Sequence, residues 1–262
     1  MMAGQAIVTS EQSTRDRRLP GVLLILTAVT GVVDAVSILA LGRVFVANMT
    51  GNVVFAGFAL AGAPGFALSA SLFALAGFLA GAALGGALIT RVGRDRGVLL
   101  RAGTAAELAL VAAALLLAAL SGAPGVSHGT TAMACGAFGP AVTDGLAALL
   151  AIAMGIQNAV ARKLAVPDMT TTVLTMTLTG LGADLRTVLR DGRSAAGRAA
   201  RATLGRRLLV VATMLAGAIA GAWLVLNVSP LSGLILAAAL LAVACSGAIL
   251  AARRPATWRA PG

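Results

Sequence analysis

Charge is scarce in this chain, histidine occurs once and cysteine twice. Charged residues make up 11% of the 262 positions and apolar residues 59%. Soluble domains run at roughly 25% and 45–50%. The shortage of charge, with a mean hydropathy of +0.95, excludes water as the main solvent. His128, as the only histidine, excludes a polyhistidine metal centre. Cys135 and Cys245 sit in small, apolar surroundings with no CxxC or Cys/His spacing, so neither zinc nor a disulfide framework is supported. No Ser/His/Asp set or glycine-rich phosphate loop appears, so catalysis has no motif to carry it and no cofactor or metal is expected.

What is present is long apolar runs separated by arginine clusters. The net charge of +11 lies in those clusters, the pattern of cytoplasmic membrane loops rather than of a nucleic-acid binder. Anionic lipid is the expected counter-charge. The polar N-terminus runs through Leu19, and the apolar run after Pro20 is longer than a signal h-region of about 7–15 residues, so it reads as a retained first span. A spanning helix needs roughly 17–25 apolar residues. Stretches near 21–42, 66–90, 98–121, 141–161, 208–228 and 231–252 qualify. Pro20, Pro140 and Pro230 stand at or near helix starts, where a missing N–H costs little, and Ser229 can cap the last span. Stretches near 52–63 and 171–183 are shorter and read as re-entrant or half helices.

Charge arbitrates between six and eight crossings. With six, and the N-terminus inside, every basic residue except Arg43 falls on the inner side. With eight, residues 91–101 and the pair Arg162–Lys163 move outside. The positive-inside rule therefore selects six spans with both termini cytoplasmic. The expected fold class is an all-α polytopic membrane bundle. Its parts are a cytoplasmic tail (1–19), a first membrane repeat (20–121), an external linker (122–139), a second repeat (140–252, with a basic cytoplasmic loop at 184–207) and a C-terminal tail (253–262).

The repeat rests on three echoes. "LAGFLAGAAL" (Leu75–Leu84) matches "LAGAIAGAWL" (Leu215–Leu224), "MTGNVV" (Met49–Val54) matches "MTTTVL" (Met169–Leu174), and "TGVVDAV" (Thr30–Val36) matches "MGIQNAV" (Met154–Val160). The last sets Asp34 opposite Asn158. Three crossings per half make the halves inverted, an arrangement common in transporters, with sites near the midplane. The ladders Gly77/Gly81/Gly85 and Gly217/Gly221 read as close-packing surfaces, which the repeat would set against each other.

The polar residues inside this apolar chain are the candidate site. Asp34 lies mid-span with Thr27, Thr30 and Ser37 on one helical face. Glu107 lies inside the third span, with Arg101 about two turns away. An ionised acid in hydrocarbon costs several kcal/mol, so each must face the interior, hold a proton or meet a cation. Both are candidates for a proton or cation relay, and Asp34 also for substrate contact. The segment before the first short helix could dip about 15 Å to the midplane. Asn48, Thr50, Asn52, Asp168, Thr170, Thr171 and Thr172 then sit at two inward-pointing helix starts. There they either cap the helices or contact a polar ligand. Gln157 and Asn158 make interhelical hydrogen bonds or contact the same ligand.

The blocks "GVVDAVSILALGRVFVANMTGNVVFAG" and "AMGIQNAVARKLAVPDMTTTVLTMTLTG" resemble the YoaK-like family of bacterial membrane proteins, a family of unknown function. The matching features are Gly31/Asp34, Met49–Asn52, Gly155/Gln157/Asn158 and Thr170–Thr172. The resemblance covers roughly 20–252 and implies a six-span inner-membrane protein without supplying an activity. Two readings of function follow. One is a transporter or channel for a small polar solute or ion, with a path between the halves lined by Asp34, Asn48, Thr50, Asn52, Gln157, Asn158 and Thr170–Thr172. The other is a non-transporting scaffold or regulator acting through the basic segment 184–207. Either leaves room for a homo-oligomer.

Overall fold

The computed structural model describes residues 18–122, 137–164, 174–191 and 194–252. Among them are eight helices and no strand. They are α1 (Arg18–Ala40), α2 (Met49–Leu60), α3 (Leu68–Val92), α4 (Arg96–Leu120), α5 (Pro140–Leu164), α6 (Leu174–Asp191), α7 (Ala195–Asn227) and α8 (Pro230–Ala252). Six of them (α1, α3, α4, α5, α7 and α8) are long and apolar enough to cross a membrane. These are the six stretches expected from hydropathy.

Their boundaries have local causes. Pro140 and Pro230 open α5 and α8, where proline's fixed φ suits a first helical residue. Ser229 Oγ accepts from the Ser232 N–H at 3.3 Å. Asp95 caps α4, accepting from the N–H groups of Gly97 and Val98 at 2.8 and 3.1 Å. Gly62, at φ +80°, follows the end of α2 in the left-handed conformation that terminates helices.

The basic segment 184–207 is not a loop. Residues 184–191 complete α6, which is 18 residues long rather than the expected 12 or so. Residues 195–207 begin the 33-residue α7. Alanine, leucine and arginine are strong helix formers, and Ser194 caps the second piece by accepting from the Gly197 N–H at 3.0 Å. Arginine clusters mark a membrane boundary, and here helix continues through that boundary. Arg207 on α7 pairs with Asp184 on α6 at 2.8 Å, joining the two helices.

Packing is crossed. The most extensive contacts are α3 along α5 and α1 along α7. The two glycine ladders therefore do not meet each other. Gly81 lies on the backbone of Ile152, and Gly85 on Ile156 and Ala159 of α5. Gly217 lies on Ala28, and Gly221 on Val32 and Ala35 of α1. In return Gly31 of α1 abuts Met214 and Ala218, while Gly155 of α5 abuts Phe78 and Ala82. A β-carbon at any of these glycines would meet backbone or a neighbouring methyl, so helix axes approach there as no larger residue allows. Around these pairs, α4 packs on α5 and α8, α1 packs on α8, α6 packs on α7, and α2 lies on α3.

Candidate functional site

The four polar residues predicted to share a face of α1 do so, and all are buried: Thr27, Thr30, Asp34 and Ser37. Three hydroxyls are satisfied within the helix. Thr27 donates to the Leu23 carbonyl, Thr30 to Leu26, and Ser37 to Asp34. Asp34 instead reaches out of its helix. Its Oδ1 accepts the N–H groups of Val46 at 3.3 Å and Ala47 at 3.1 Å.

This explains the segment between α1 and α2. After α1 the chain reverses through Gly42 (φ +78°) and Arg43 (φ +61°), both left-handed. It then runs back along α1 to the level of Asp34, about 9 Å from Ala40 at 1.5 Å per residue. There α2 begins. Two backbone N–H groups that a helix or sheet would have occupied find the carboxylate instead, and the segment turns back where they are satisfied.

Within the Met-Thr-Gly-Asn block the roles separate. Asn52 is fully buried, and its amide brackets Phe45. Oδ1 accepts the Phe45 N–H at 2.9 Å, and Nδ2 donates to the Phe45 carbonyl at 2.6 Å. Nδ2 also lies 3.6 Å from the Met49 sulfur. Gly51 is bare because the Phe45 ring occupies the space where its β-carbon would be. Phe45 stacks on Phe55, with ring centroids 5.5 Å apart. Asn48 stands at the N-cap position of α2 but makes no side-chain cap, and both Asn48 and Thr50 are exposed. The expectation that these two cap the helix is thus not met. Asn52 does the ordering, from inside the first turn.

Gln157 of α5 is buried, and its Nε2 donates to Thr30 Oγ1 of α1 at 2.9 Å. This links the first spans of the two expected repeats. Asn158 turns back to its own helix, donating to the Met154 carbonyl at 2.8 Å. Thr170, Thr171 and Thr172, with Asp168, lie outside the described residues.

Glu107 is buried, halfway along α4. Arg101 does not snorkel toward it: that side chain is exposed, and Glu107 Oε1 has no hydrogen-bond partner. Thr104, one turn before, spends its hydroxyl on the carbonyls of Leu100 and Arg101. Sequence reasoning missed Arg96, whose guanidinium donates to the Leu164 carbonyl at the C-terminal end of α5. An arginine opening a span opposite a partner helix's last carbonyls was the available signal.

Polar side chains thus cluster inside a bundle whose surface is apolar. Six crossing-length helices with apolar outer faces, packed around an apolar core that holds a few polar side chains, define a polytopic α-helical integral membrane protein. Within that class the chain belongs to the family described as "Protein of unknown function (DUF1275)", whose model matches residues 22–247. It is similar to the UPF0700 transmembrane protein YoaK of Bacillus subtilis (strain 168). The two are 36% identical over 165 residues, which span 62% of this chain and 64% of that protein's length. No solved structure matches the chain.

Proposed function

We propose that the protein is a transporter or channel for a small polar solute or ion, which passes between two inverted halves. The observation that carries this reading is the set of polar side chains buried inside the bundle. Asp34 holds a returning segment, Gln157 bridges to Thr30, and Glu107 has an oxygen without a donor. Intramembrane groups of this kind are expensive and mark substrate or ion paths more often than packing needs.

The halves are taken to be α1–α4 and α5–α8. In support, the crossed glycine contacts are reciprocal. Gly31 against Met214 and Ala218 answers Gly155 against Phe78 and Ala82, and Gly217 on Ala28 answers Gly81 on Ile152. Burial repeats as well. Gly103, Thr104, Glu107, Val111, Ala114 and Ala118 of α4 are matched at constant spacing by Gly233, Leu234, Ala237, Leu241, Ala244 and Ala248 of α8. These contacts equate Gly81 with Gly217 and Gly85 with Gly221. That is one helical turn away from the register that the match of Leu75–Leu84 to Leu215–Leu224 suggested. Both termini are placed on the cytoplasmic side of a bacterial cell membrane, following the arginine distribution.

The test is flux in proteoliposomes across a panel of small ions and polar solutes. Asp34→Asn keeps an acceptor for Val46 and Ala47 but removes the charge, so flux should fall while the fold is retained. Active wild-type protein with undiminished flux in Asp34→Asn rules out Asp34 as part of the path.

The second reading, a scaffold or regulator, draws on the α6–α7 hairpin. A shallow groove on α6 is lined by Gly182, Leu185, Arg186, Leu189 and Arg190. Leu185 and Leu189 are exposed beside the arginines, the pairing that suits an interfacial helix on anionic lipid. Replacing Arg186 and Arg190 by Gln should abolish partner pull-down under this reading and leave flux intact under the first.

A further inference from the structure

We infer that Glu107 and Gln157 form a binding site for a monovalent cation, a proton or Na⁺, at the centre of the bundle. The use of such a site rests on the transport reading above, but its existence does not.

Register brings the two residues together. Helices α4 and α5 run antiparallel, with Gly103 against Val160, Leu117 against Gly145, and Arg96 bonded to the Leu164 carbonyl. Counting inward from the two glycine contacts sets Glu107 level with Gly155 and Ile156, so Gln157 lies about one to two residues, roughly 1.5–3 Å, further along the axis. Glu107 is 1% exposed and Gln157 2%. Each has one oxygen, Glu107 Oε1 and Gln157 Oε1, that is buried without a hydrogen-bond partner. The hydroxyl one turn before Glu107 and the one bonded to Gln157 are already spent. Thr104 donates to backbone carbonyls, and Thr30 donates to Leu26 while accepting from Gln157 Nε2. Two buried acceptors so close in level, with no donor left for either, call for positive charge or a proton. Leaving either unmet is costly, and more so for a charged group.

The repeat supplies an independent argument. In the register fixed by the glycine contacts and the burial pattern, Glu107 corresponds to Ala237, Gln157 to Val33, Thr30 to Met154 and Thr104 to Leu234. Ala237 and Leu234 are buried in α8, and Val33 and Met154 are buried in their own helices. Apolar residues thus complete the same packing in the other copy. A carboxyl and an amide at these positions are not needed to fill the core, and their placement midway along a spanning helix is costly. Hard oxygen donors at the meeting of inverted halves are where coupling ions bind in such folds.

On α1, which packs on α5, Asp34 lies one helical turn beyond Thr30, with its Oδ1 accepting from Val46 and Ala47. Among the described residues, the other titratable or charged groups on the elements packed against α4 lie away from this level. α5 carries Asp144 near its start and Arg162 and Lys163 near its end, α3 carries Arg91 in its last turn, and α8 carries Cys245. On α4 itself Arg96 and Arg101 lie in the first turns.

The experiment is thermal unfolding of the purified full chain in detergent, in NaCl against choline chloride at equal ionic strength, and across neutral pH in choline. If the site takes Na⁺, the wild type melts higher in NaCl. If it takes a proton, its melting temperature falls as pH rises, because stability tied to a bound proton is lost when the proton leaves. Glu107→Gln should abolish whichever dependence appears, and Gln157→Leu should shift it to higher Na⁺ or lower pH. Glu107→Asp keeps the carboxyl and should shift the dependence without abolishing it, which covers the case of a Gln variant that fails to fold. Identical melting in both salts, together with a pH profile that neither Glu107 variant alters, would overturn the proposal. Cation dependence in a protein that carries no flux would retain the site and discard the transport reading.

Discussion

At the residue scale, the Met-Thr-Gly-Asn block is a backbone clasp. Asn52, itself fully buried, satisfies both polar groups of the half-buried Phe45. Asn52→Leu leaves both unpaired and should cost about 2–4 kcal/mol, read as a drop in thermal unfolding temperature in detergent. Asp34 offers a sharper contrast. Asp34→Ala strands the Val46 and Ala47 N–H groups and should destabilise by about 1–3 kcal/mol, whereas Asp34→Asn retains the acceptor and should unfold near the wild type. Equal losses in the two variants would mean that the charge, not the hydrogen bonds, holds the segment. The burial of Asp34, Asn52, Gln157 and Glu107 was legible, because a polar residue in an apolar helix has nowhere else to go. Their partners were not. Phe45 and Asn52 meet across a reversed segment, and Asp34 meets backbone at Val46 and Ala47, which no side-chain pattern encodes. The exposure of Asn48 and Thr50 was equally hidden, since their residue types suit a cap as well as a surface.

At the scale of elements, six helices were readable from apolar length alone, because hydrocarbon thickness sets the length needed. The extent of α6 was not, because arginine marks the end of the apolar environment and not the end of the helix. The match between α3 and α7 is ambiguous in sequence for a different reason. Leu75–Leu84 and Leu215–Leu224 share glycines at four-residue spacing, so a slip of one turn keeps most identities. Contacts decide: Gly81 and Gly85 meet α5 as Gly217 and Gly221 meet α1. Overpacking should therefore follow position. Gly81→Leu or Gly221→Leu should destabilise by about 1–3 kcal/mol or more, while Gly86, with nothing within 4 Å of a β-carbon, should accept Leu with little loss. Comparing the unfolding temperatures of the three variants checks the contact assignment. If Gly86→Leu proves as harmful as Gly81→Leu, α3 does not present its ladder to α5.

At the scale of the whole molecule, topology links the arginine pattern to the inverted reading. With α2 and α6 not crossing, α1, α3 and α4 make three crossings, as do α5, α7 and α8, and an odd count is what turns one half over. If α2 crossed as well, the halves would be parallel and residues 91–97 would face outward. The fold argues for the odd count. α2 has only 12 residues, about 18 Å at 1.5 Å per residue, well short of a hydrocarbon core of about 30 Å. It also starts beside Asp34, inside the bundle, and returns to a turn at Gly62 before α3 begins. The reciprocal contacts of Gly31 and Gly155 fit a two-fold relation between the halves, because α1 packs along α7 as α5 packs along α3, and the crossing count decides whether that axis lies in the membrane plane or along its normal. In a cysteine-free background, single cysteines at Ala63 and Gly93 therefore report on opposite sides. A membrane-impermeant maleimide added to intact cells should label position 63 and should reach position 93 only after permeabilisation. Labelling at both positions from outside would remove the odd crossing count. The inverted relation would go with it, whereas the register that equates Glu107 with Ala237 rests on contacts and burial and would stand.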